Sequence, residues 1–126
     1  MKCIALIVVV LLLAGCSSEH DITVTESVRS PDGSKDAIAF ADSGGGAAGF
    51  CLICTDVVPT GSFNKQTARC SHSVQWFECP TTLKLRWLSP QSVLVSYAGQ
   101  PSYPTVPKSE PAPSTQSVML DYQAVK

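Results

Sequence analysis

The sequence predicts an all-β fold: one small domain built on an antiparallel sheet or a sandwich-like arrangement of strands. Apolar and polar residues alternate over several short stretches, most clearly in LKLRW at 83–87, and this is the period of a strand with one buried face. Pro, Gly, Asp and Ser separate these stretches at turn-forming positions. Beyond the N-terminal apolar run, no segment has the 3.6-residue period of an amphipathic helix.

The alternation and the turn residues together place the strands. The second strand follows the turn Ser30–Gly33, in which Pro presets φ and Asp-Gly supplies the permissive positions. The third contains the most apolar run, ends at Pro59 and is favoured by its β-branched residues. The fourth is expected to stop at Pro80. The predicted strands are residues 22–28, 37–41, 49–58, 73–79, 83–87, 92–97 and 118–124.

Two segments are predicted to be loops. Residues 42–46 contain three consecutive glycines, which break a strand. Residues 99–116 contain five prolines, a composition typical of an extended or disordered loop. We therefore expect residues 99–116 to contribute little packed structure.

The N-terminus carries a secretory signal. Met1-Lys2 is a basic start, and residues 3–14 form an unbroken run of 12 apolar or small residues. A membrane-spanning helix needs about 20 apolar residues, so this run is too short to span a bilayer. Its length, its basic start and the small residues at its end are typical of a cleaved signal peptide, here residues 1–15.

The end of this signal, Leu13-Ala14-Gly15-Cys16, resembles the lipobox of bacterial lipoproteins. The resemblance implies that Cys16 is lipidated and that the chain is cut just before it. An ordinary signal peptide is the alternative. More than one acyl chain gives a stable membrane anchor. Residues 16–21 are then a lipidated tether and residues 22–126 the β-domain, and a Ser rather than an Asp at position 17 favours the outer membrane, facing the periplasm.

Length and charge limit what the mature chain can do. Removal of the first 15 of the 126 residues leaves 111, enough for one small domain. This part carries 8 basic and 10 acidic residues without a basic cluster. Nucleic-acid binding through phosphate neutralisation is therefore not expected.

The four remaining cysteines predict two disulfides, because an even number in an exported domain is typical of a disulfide framework. If consecutive strands pair antiparallel, Cys51 lies opposite Cys79. Cys54 then faces the other side of the sheet, and Cys70 in the following loop can reach it. We expect this nested pairing, Cys51–Cys79 and Cys54–Cys70, over the two other connectivities. The alternatives for these residues are a C-x-x-C thiol oxidoreductase and a zinc site, whose gap of eight residues is wider than usual.

No other constellation predicts catalysis, a metal or a cofactor. His72 next to Cys70 would form a nucleophile pair only if that thiol were free. Asp32 and Asp36 are explained by a turn and a strand edge. The aromatic residues are expected in the core or on a sheet face, with an exposed contact patch as the alternative: Trp76, Phe77, Trp87 and Tyr97.

Two family resemblances concern the β-domain. Ser30-Pro31 and Ser89-Pro90, each followed by a strand, resemble the turn of β-propeller blades, which implies blade-like hairpins in a chain too short for a propeller. The order SPDG, AIAFADSGGGAAGF, LRWLSPQSVLVSY, VMLDY is similar to a group of small bacterial lipoproteins to which no activity is assigned. The expected function is a non-enzymatic, membrane-anchored envelope lipoprotein that acts as a structural or interaction module, with an envelope protein as a possible partner. The alternative is a small periplasmic inhibitor or ligand-binding lipoprotein.

Overall fold

The structure is a computed structural model that describes residues 19–46, 49–73, 75–101 and 105–126. The predicted signal peptide and Cys16 lie outside these ranges. Within them the regular structure is β, apart from short 3-10 turns such as Cys70–His72. The strands are β1 (His20–Arg29), β2 (Lys35–Gly44), β3 (Phe50–Pro59), β4 (Phe77–Ser89), β5 (Ser92–Pro101), β6 (Ser109–Pro111) and β7 (Met119–Ala124). The all-β prediction is confirmed.

The seven strands form a single mixed sheet in the order β1-β2-β3-β4-β5-β7-β6. Neighbouring strands are antiparallel except for β5 and β7, which are parallel. The expectation of a purely antiparallel sheet is therefore wrong at this pair. The reason is the long connection after β5, because it returns the chain to the end of the sheet where β5 began and so makes the next central strand parallel.

The seven-stranded sheet bends at β4 and so forms two layers. Its first residues pair with β3, where Leu52 lies opposite Glu78 and Ile53 opposite Phe77. The register against β5 then shifts between Glu78 and Thr82, as a bulge does when a strand bends.

Beyond this bend, β4 lies against the edge of β1. The Leu85 amide donates to Glu26 Oε2 at 3.2 Å, and the Trp87 indole Nε1–H donates to the Val28 carbonyl at 2.8 Å. The layer of β1, β2 and β3 consequently faces the layer of β4, β5, β7 and β6, which is a sandwich-like arrangement.

The main hydrophobic core fills the space between the two layers. Two alanines of β2 pack with larger apolar residues of β3, β4, β5 and β7. Its fully buried members are Ala37, Ala39, Ile53, Val57, Phe77, Leu83, Leu85, Val93, Val95, Ala112, Val118 and Leu120.

A second hydrophobic cluster lies on the outer face of the β1-β2-β3 layer. Residues Ile22, Ile38, Phe40, Cys54 and Val58 are buried there together with Cys70 from the following connection. Phe63, Ala68 and Trp76 of the same connection pack against them. The connection from β3 to β4 therefore forms a cover over this face, and we call it the cover loop (residues 60–76).

Two strand assignments from the sequence need correction. Residues 73, 75 and 76 are not in a strand: the 3-10 turn at Cys70–His72 precedes them, and β4 begins only at Phe77. Pro80 does not end β4, which continues to Ser89. It is tolerated because it lies in the bulge, where β5 needs no amide hydrogen from it.

The proline-rich segment is also more ordered than expected at residues 99–101 and 105–116. Strand β5 extends to Pro101, and β6 pairs with β7 within this segment. Ala112 is fully buried in the main core, and Glu110 is buried beside it. Prolines are accepted here because β6 is an edge strand. The hypothesis that this segment contributes little packing is wrong.

At the N-terminal side, β1 begins two residues before the predicted domain boundary. His20, expected in the tether, pairs with Gly44. Its Nδ1 lies 2.7 Å from Asp42 Oδ1. This contact draws the end of the tether into the sheet.

The two predicted Ser-Pro turns each connect a hairpin, β1–β2 and β4–β5. In the first, the Gly33 amide donates to the Ser30 carbonyl at 2.9 Å and Gly33 has φ of 74°, as this turn requires. Because all strands belong to one sheet, a blade-like arrangement is not confirmed. No helix in the described part of the chain has the length and apolar character needed to cross a membrane.

Candidate functional site

Two disulfides hold the cover loop at both ends. The Cα atoms of Cys51 and Cys79 lie 5.5 Å apart and those of Cys54 and Cys70 lie 5.6 Å apart, within the range of disulfide geometry. The β3–β4 register, with Leu52 opposite Glu78, places Cys51 opposite Cys79. The structure thus has the nested pairing that the sequence predicted.

The second disulfide is reinforced by a buried carboxylate. Cys54 lies on the outer face of β3, and the Cys70 amide donates to Asp42 Oδ2 at 3.0 Å. The other oxygen of Asp42 contacts His20. One carboxylate therefore joins β1, β2 and the cover loop.

These pairings bear on the assignments that the sequence left open for the cysteines: disulfides, a C-x-x-C redox pair or a zinc site. Cys51 and Cys54 point to opposite faces and are bonded to different partners, so they do not form a C-x-x-C redox pair. Cys70 is bonded to Cys54, and His72 has no free thiol beside it. Within the described ranges, no group of three or more His, Cys, Asp or Glu residues is arranged to hold a metal ion.

The cover loop and the sheet enclose a groove of about 390 Å³, within the range of small-ligand sites. Its third wall is the segment that leads from β6 to β7. The apolar lining residues are Phe40, Val58, Pro59, Phe63, Ala68 and Pro113. The polar lining residues are Asp56, Ser62, Asn64, Thr67, Arg69, His72, Ser73 and Ser114.

The two aromatic rings of the groove are in contact. The ring centroids of Phe40 and Phe63 lie 5.3 Å apart at a tilted angle. Phe40 is buried in the outer cluster, whereas Phe63 is half-buried and borders the groove. The groove therefore has an apolar floor that can cover an apolar ligand group.

The carboxylate of the groove is already occupied by protein donors. Asp56 Oδ1 accepts from the amides of Val57 at 2.7 Å and Ser114 at 2.9 Å, and its Oδ2 accepts from the Ser114 hydroxyl. The Thr115 hydroxyl adds a bond to the Val57 carbonyl at 2.7 Å. These bonds fasten the third wall to β3, so Asp56 has a structural role.

Among the described residues, no carboxylate pairs with the basic side chains of the groove, Arg69 and His72. Arg69 immediately precedes the 3-10 turn and His72 is its last residue, and residues three apart in such a turn lie on the same side. The guanidinium of Arg69 donates to the Ala68 carbonyl at 2.6 Å. The ion pairs among the described residues are His20–Asp42 and Arg29–Asp36, so neither Arg69 nor His72 faces a carboxylate within 4 Å.

The acidic pair considered from the sequence has a structural explanation. The Asp32 carboxylate accepts from the hydroxyl of Ser30 and from the amide and hydroxyl of Ser34, and these bonds hold its pKa below the ordinary value. The Gly61 amide and then the Arg29 guanidinium lower the pKa of Asp36. Both carboxylates therefore stabilise the turns at one end of β2.

Of the four aromatic residues considered from the sequence, Phe77 is buried and the other three are half-buried. Phe77 is in the main core, with ring centroids 4.8 Å from Tyr97 and 6.2 Å from Tyr122. Trp76 packs against the outer cluster, and Trp87 packs against the main core. These side chains support the fold, as the sequence predicted.

Sequence reasoning did not find the groove. Residues 62–72 are mostly polar, and the sequence motifs point only to Cys70 and His72 among them. The signal that was present is the set of Phe63, Ala68 and Arg69 within this polar stretch. Their common surface depends on the disulfide that folds the loop back.

Comparison of the chain with protein-family models, with curated proteins and with solved structures finds no match in any of the three.

Proposed function

We propose that this chain is a non-enzymatic lipoprotein of the bacterial cell envelope, anchored by acyl chains on Cys16 and facing the periplasm from the outer membrane. In this role the β-domain is a structural or interaction module held close to the bilayer. The lipid bilayer is one partner, and an envelope protein is the other.

The observation that carries the proposal is the use of the five cysteines that follow the expected cleavage point. Cys16 ends a lipobox-like sequence, and the four cysteines of the β-domain stand at disulfide distance in two pairs. Disulfides persist in exported proteins and are rare in the cytosol. A disulfide-bonded domain that directly follows a lipid-attachment sequence is consistent with an envelope protein.

The groove favours a second candidate, a small periplasmic ligand-binding or inhibitor lipoprotein. Its volume, apolar floor and unneutralised Arg69 and His72 are properties of a binding site. The two candidates share the anchor and differ in whether the groove is the surface that binds.

The anchor is tested with Cys16→Ser, and Cys3→Ser is the matched control because it changes a cysteine that the signal peptidase removes. Membrane fractionation and incorporation of labelled fatty acid are measured for both variants. We expect label and processing to be lost only in Cys16→Ser. Equal labelling and cleavage of Cys16→Ser and the parent protein would contradict the lipoprotein assignment.

The binding role is tested by cross-linking and capture from envelope extract. Thr67→Trp introduces a large side chain at the exposed rim of the groove, and Thr82→Trp does so at an exposed position of β4. Loss of the captured species only in Thr67→Trp supports the ligand-binding candidate. Retention in both variants supports interaction through another surface, and specific capture by none of the proteins contradicts both candidates.

A further inference from the structure

The chemistry of the groove indicates what kind of ligand it binds. We propose that it binds the C-terminal end of a peptide: a free carboxylate at Arg69 and His72, an adjacent apolar side chain over Phe63, and backbone amides against the hydroxyl groups of the cover loop. This inference rests on the binding role proposed above and names the ligand class for it.

The first step of the argument is charge. Arg69 and His72 line the same groove, and among the described residues no carboxylate lies within ion-pair distance of either. Asp56 is not their partner: it lies beyond ion-pair distance of both and binds Ser114 through both of its oxygens. A guanidinium binds a carboxylate through two parallel hydrogen bonds. The groove therefore complements an anionic group with this planar shape.

The second step is hydrogen-bond polarity. The Ser62 hydroxyl donates its hydrogen to the Pro59 carbonyl at 2.7 Å, and the Thr67 hydroxyl donates to the Asn64 carbonyl at 3.4 Å. A hydroxyl whose hydrogen is engaged offers only lone pairs to a ligand. Residues 62–67 of the cover loop thus offer acceptors to N–H donors, while Arg69 further along the same loop supplies donors. A peptide C-terminus combines amide N–H groups and a carboxylate in this order.

The third step is the apolar floor. Phe63 borders the groove and is half-buried, with its ring against Phe40, and Val58 and Pro59 continue this surface. An apolar terminal side chain would bury part of the exposed ring, which is favourable in proportion to the area removed from water. A polar terminal side chain would lose this contribution. The ligand class is consequently a peptide that ends in an apolar residue.

The test uses the full-length protein as it is processed by the cell, purified from membranes in mild detergent. The probes are N-acetyl-Ala-Ala-Phe with a free carboxylate, its C-terminal amide, and N-acetyl-Ala-Ala-Ser with a free carboxylate. Binding is measured by calorimetry, and amide chemical shifts of residues 62–73 and 113–114 locate it. We expect the free acid ending in Phe to bind in the groove at least about tenfold more tightly than its amide, since hydrogen bonds to charged groups contribute this much. It should also bind at least about tenfold more tightly than the acid ending in Ser, which lacks the apolar side chain that would lie over Phe63.

Two variants separate the carboxylate contact from general effects on folding. Arg69→Gln removes the charge in the groove, and Arg86→Gln removes the same charge at an exposed position of β4. We expect Arg69→Gln to weaken binding of the acid about tenfold or more and to leave binding of the amide unchanged. Arg86→Gln should bind both probes as the parent protein does.

Two results would overturn the inference. Equal affinity for the acid and the amide would show that no carboxylate is recognised, and the binding role itself would stand. Absence of binding by all three probes, without shifts in the groove, would reject a peptide C-terminus as the ligand. The capture experiment described above would then decide separately whether the chain has a partner.

Discussion

The Tyr122 hydroxyl donates a hydrogen bond to the carboxyl of Glu110, which is buried at the edge of the main core. The backbone amide of Gln75 donates to the same oxygen, Oε1, at 3.3 Å. The second oxygen of Glu110 has no hydrogen-bond partner in the described part of the structure. This one carboxyl thus connects β6, β7 and the end of the cover loop. Burial raises its pKa, although the bonds from Tyr122 and Gln75 oppose the shift.

The raised pKa of Glu110 predicts that stability falls as pH rises above the ordinary carboxyl value. Between the ordinary pKa of 4.5 and the raised value, the folded protein holds a proton that the unfolded chain has released. The free energy of unfolding should therefore decrease across this interval, by at most about 1.4 kcal/mol per pH unit for one proton. Denaturant unfolding at a series of pH values measures this slope.

The control for this prediction is a pair of variants. Glu110→Gln is neutral at every pH and should lose the slope, whereas Glu78→Gln at an exposed position of β4 should keep it. At lower pH a different group acts: the pKa of Asp36 is lowered, so its contribution is lost as pH falls below the ordinary value of 3.8. An unchanged slope in Glu110→Gln would show that Glu110 does not carry the dependence.

Removal of the Cys54–Cys70 disulfide should release the cover loop. The double variant Cys54→Ser, Cys70→Ser loses a crosslink that spans 16 residues and uncovers the outer cluster. Its free energy of unfolding should fall by about 2–4 kcal/mol. Native-state trypsin digestion at Lys65 and Arg69 should become faster in this variant. Digestion at the parent rate would contradict the assignment of this disulfide as the fastening of the loop.

Gly99 is expected to be intolerant of a side chain. Its φ is 153°, and an added Cβ would overlap Thr81 Oγ1 and lie 2.7 Å from Thr81 Cβ. Thr81 cannot move freely because its hydroxyl donates to the Glu78 carbonyl at 2.5 Å in the bulge. Gly99→Ala should therefore destabilise the protein by about 2–4 kcal/mol in thermal or denaturant unfolding.

The matched control for Gly99→Ala is Gly61→Ala. Gly61 also has positive φ, 74°, and an added Cβ there meets no atom within 4 Å. Only the conformational cost remains, about 1–2 kcal/mol. If both variants lose the same stability, the contact with Thr81 is not what constrains this position.

Deletion of residues 101–113 should destabilise the fold strongly. The deletion removes β6 together with the buried Glu110 and Ala112. The melting temperature should fall by more than about 8 °C, which for a domain of this size corresponds to more than about 1 kcal/mol. A smaller decrease would mean that this segment is not packed on β7 in solution.

The sequence predicted those features that depend on neighbouring residues. The turn Ser30–Gly33 follows from the φ preferences of Pro and Gly. The half-buried strand at 83–87 follows from its alternation. The nested disulfides required only that consecutive strands pair antiparallel, and the register of Leu52 with Glu78 fulfils this condition.

The missed features depend on contacts between distant segments. The parallel pairing of β5 with β7 follows from the path of the long connection, which no local pattern encodes. Strand β6 was not predicted because its segment contains prolines, and an edge strand tolerates proline. The groove arises only when the Cys54–Cys70 disulfide brings Arg69 and His72 into one groove with Asp56, so the sequence of the loop alone does not indicate it.

The proposal that Cys16 anchors the chain to the membrane is tested most directly by mass spectrometry of the N-terminal peptide of the protein extracted from membranes. We predict that this peptide begins at Cys16 and carries the added mass of a diacylglyceryl group on its thiol. A peptide that begins at another residue, or one that begins at Cys16 with an unmodified thiol, would contradict the assignment of the protein as a lipid-anchored envelope protein.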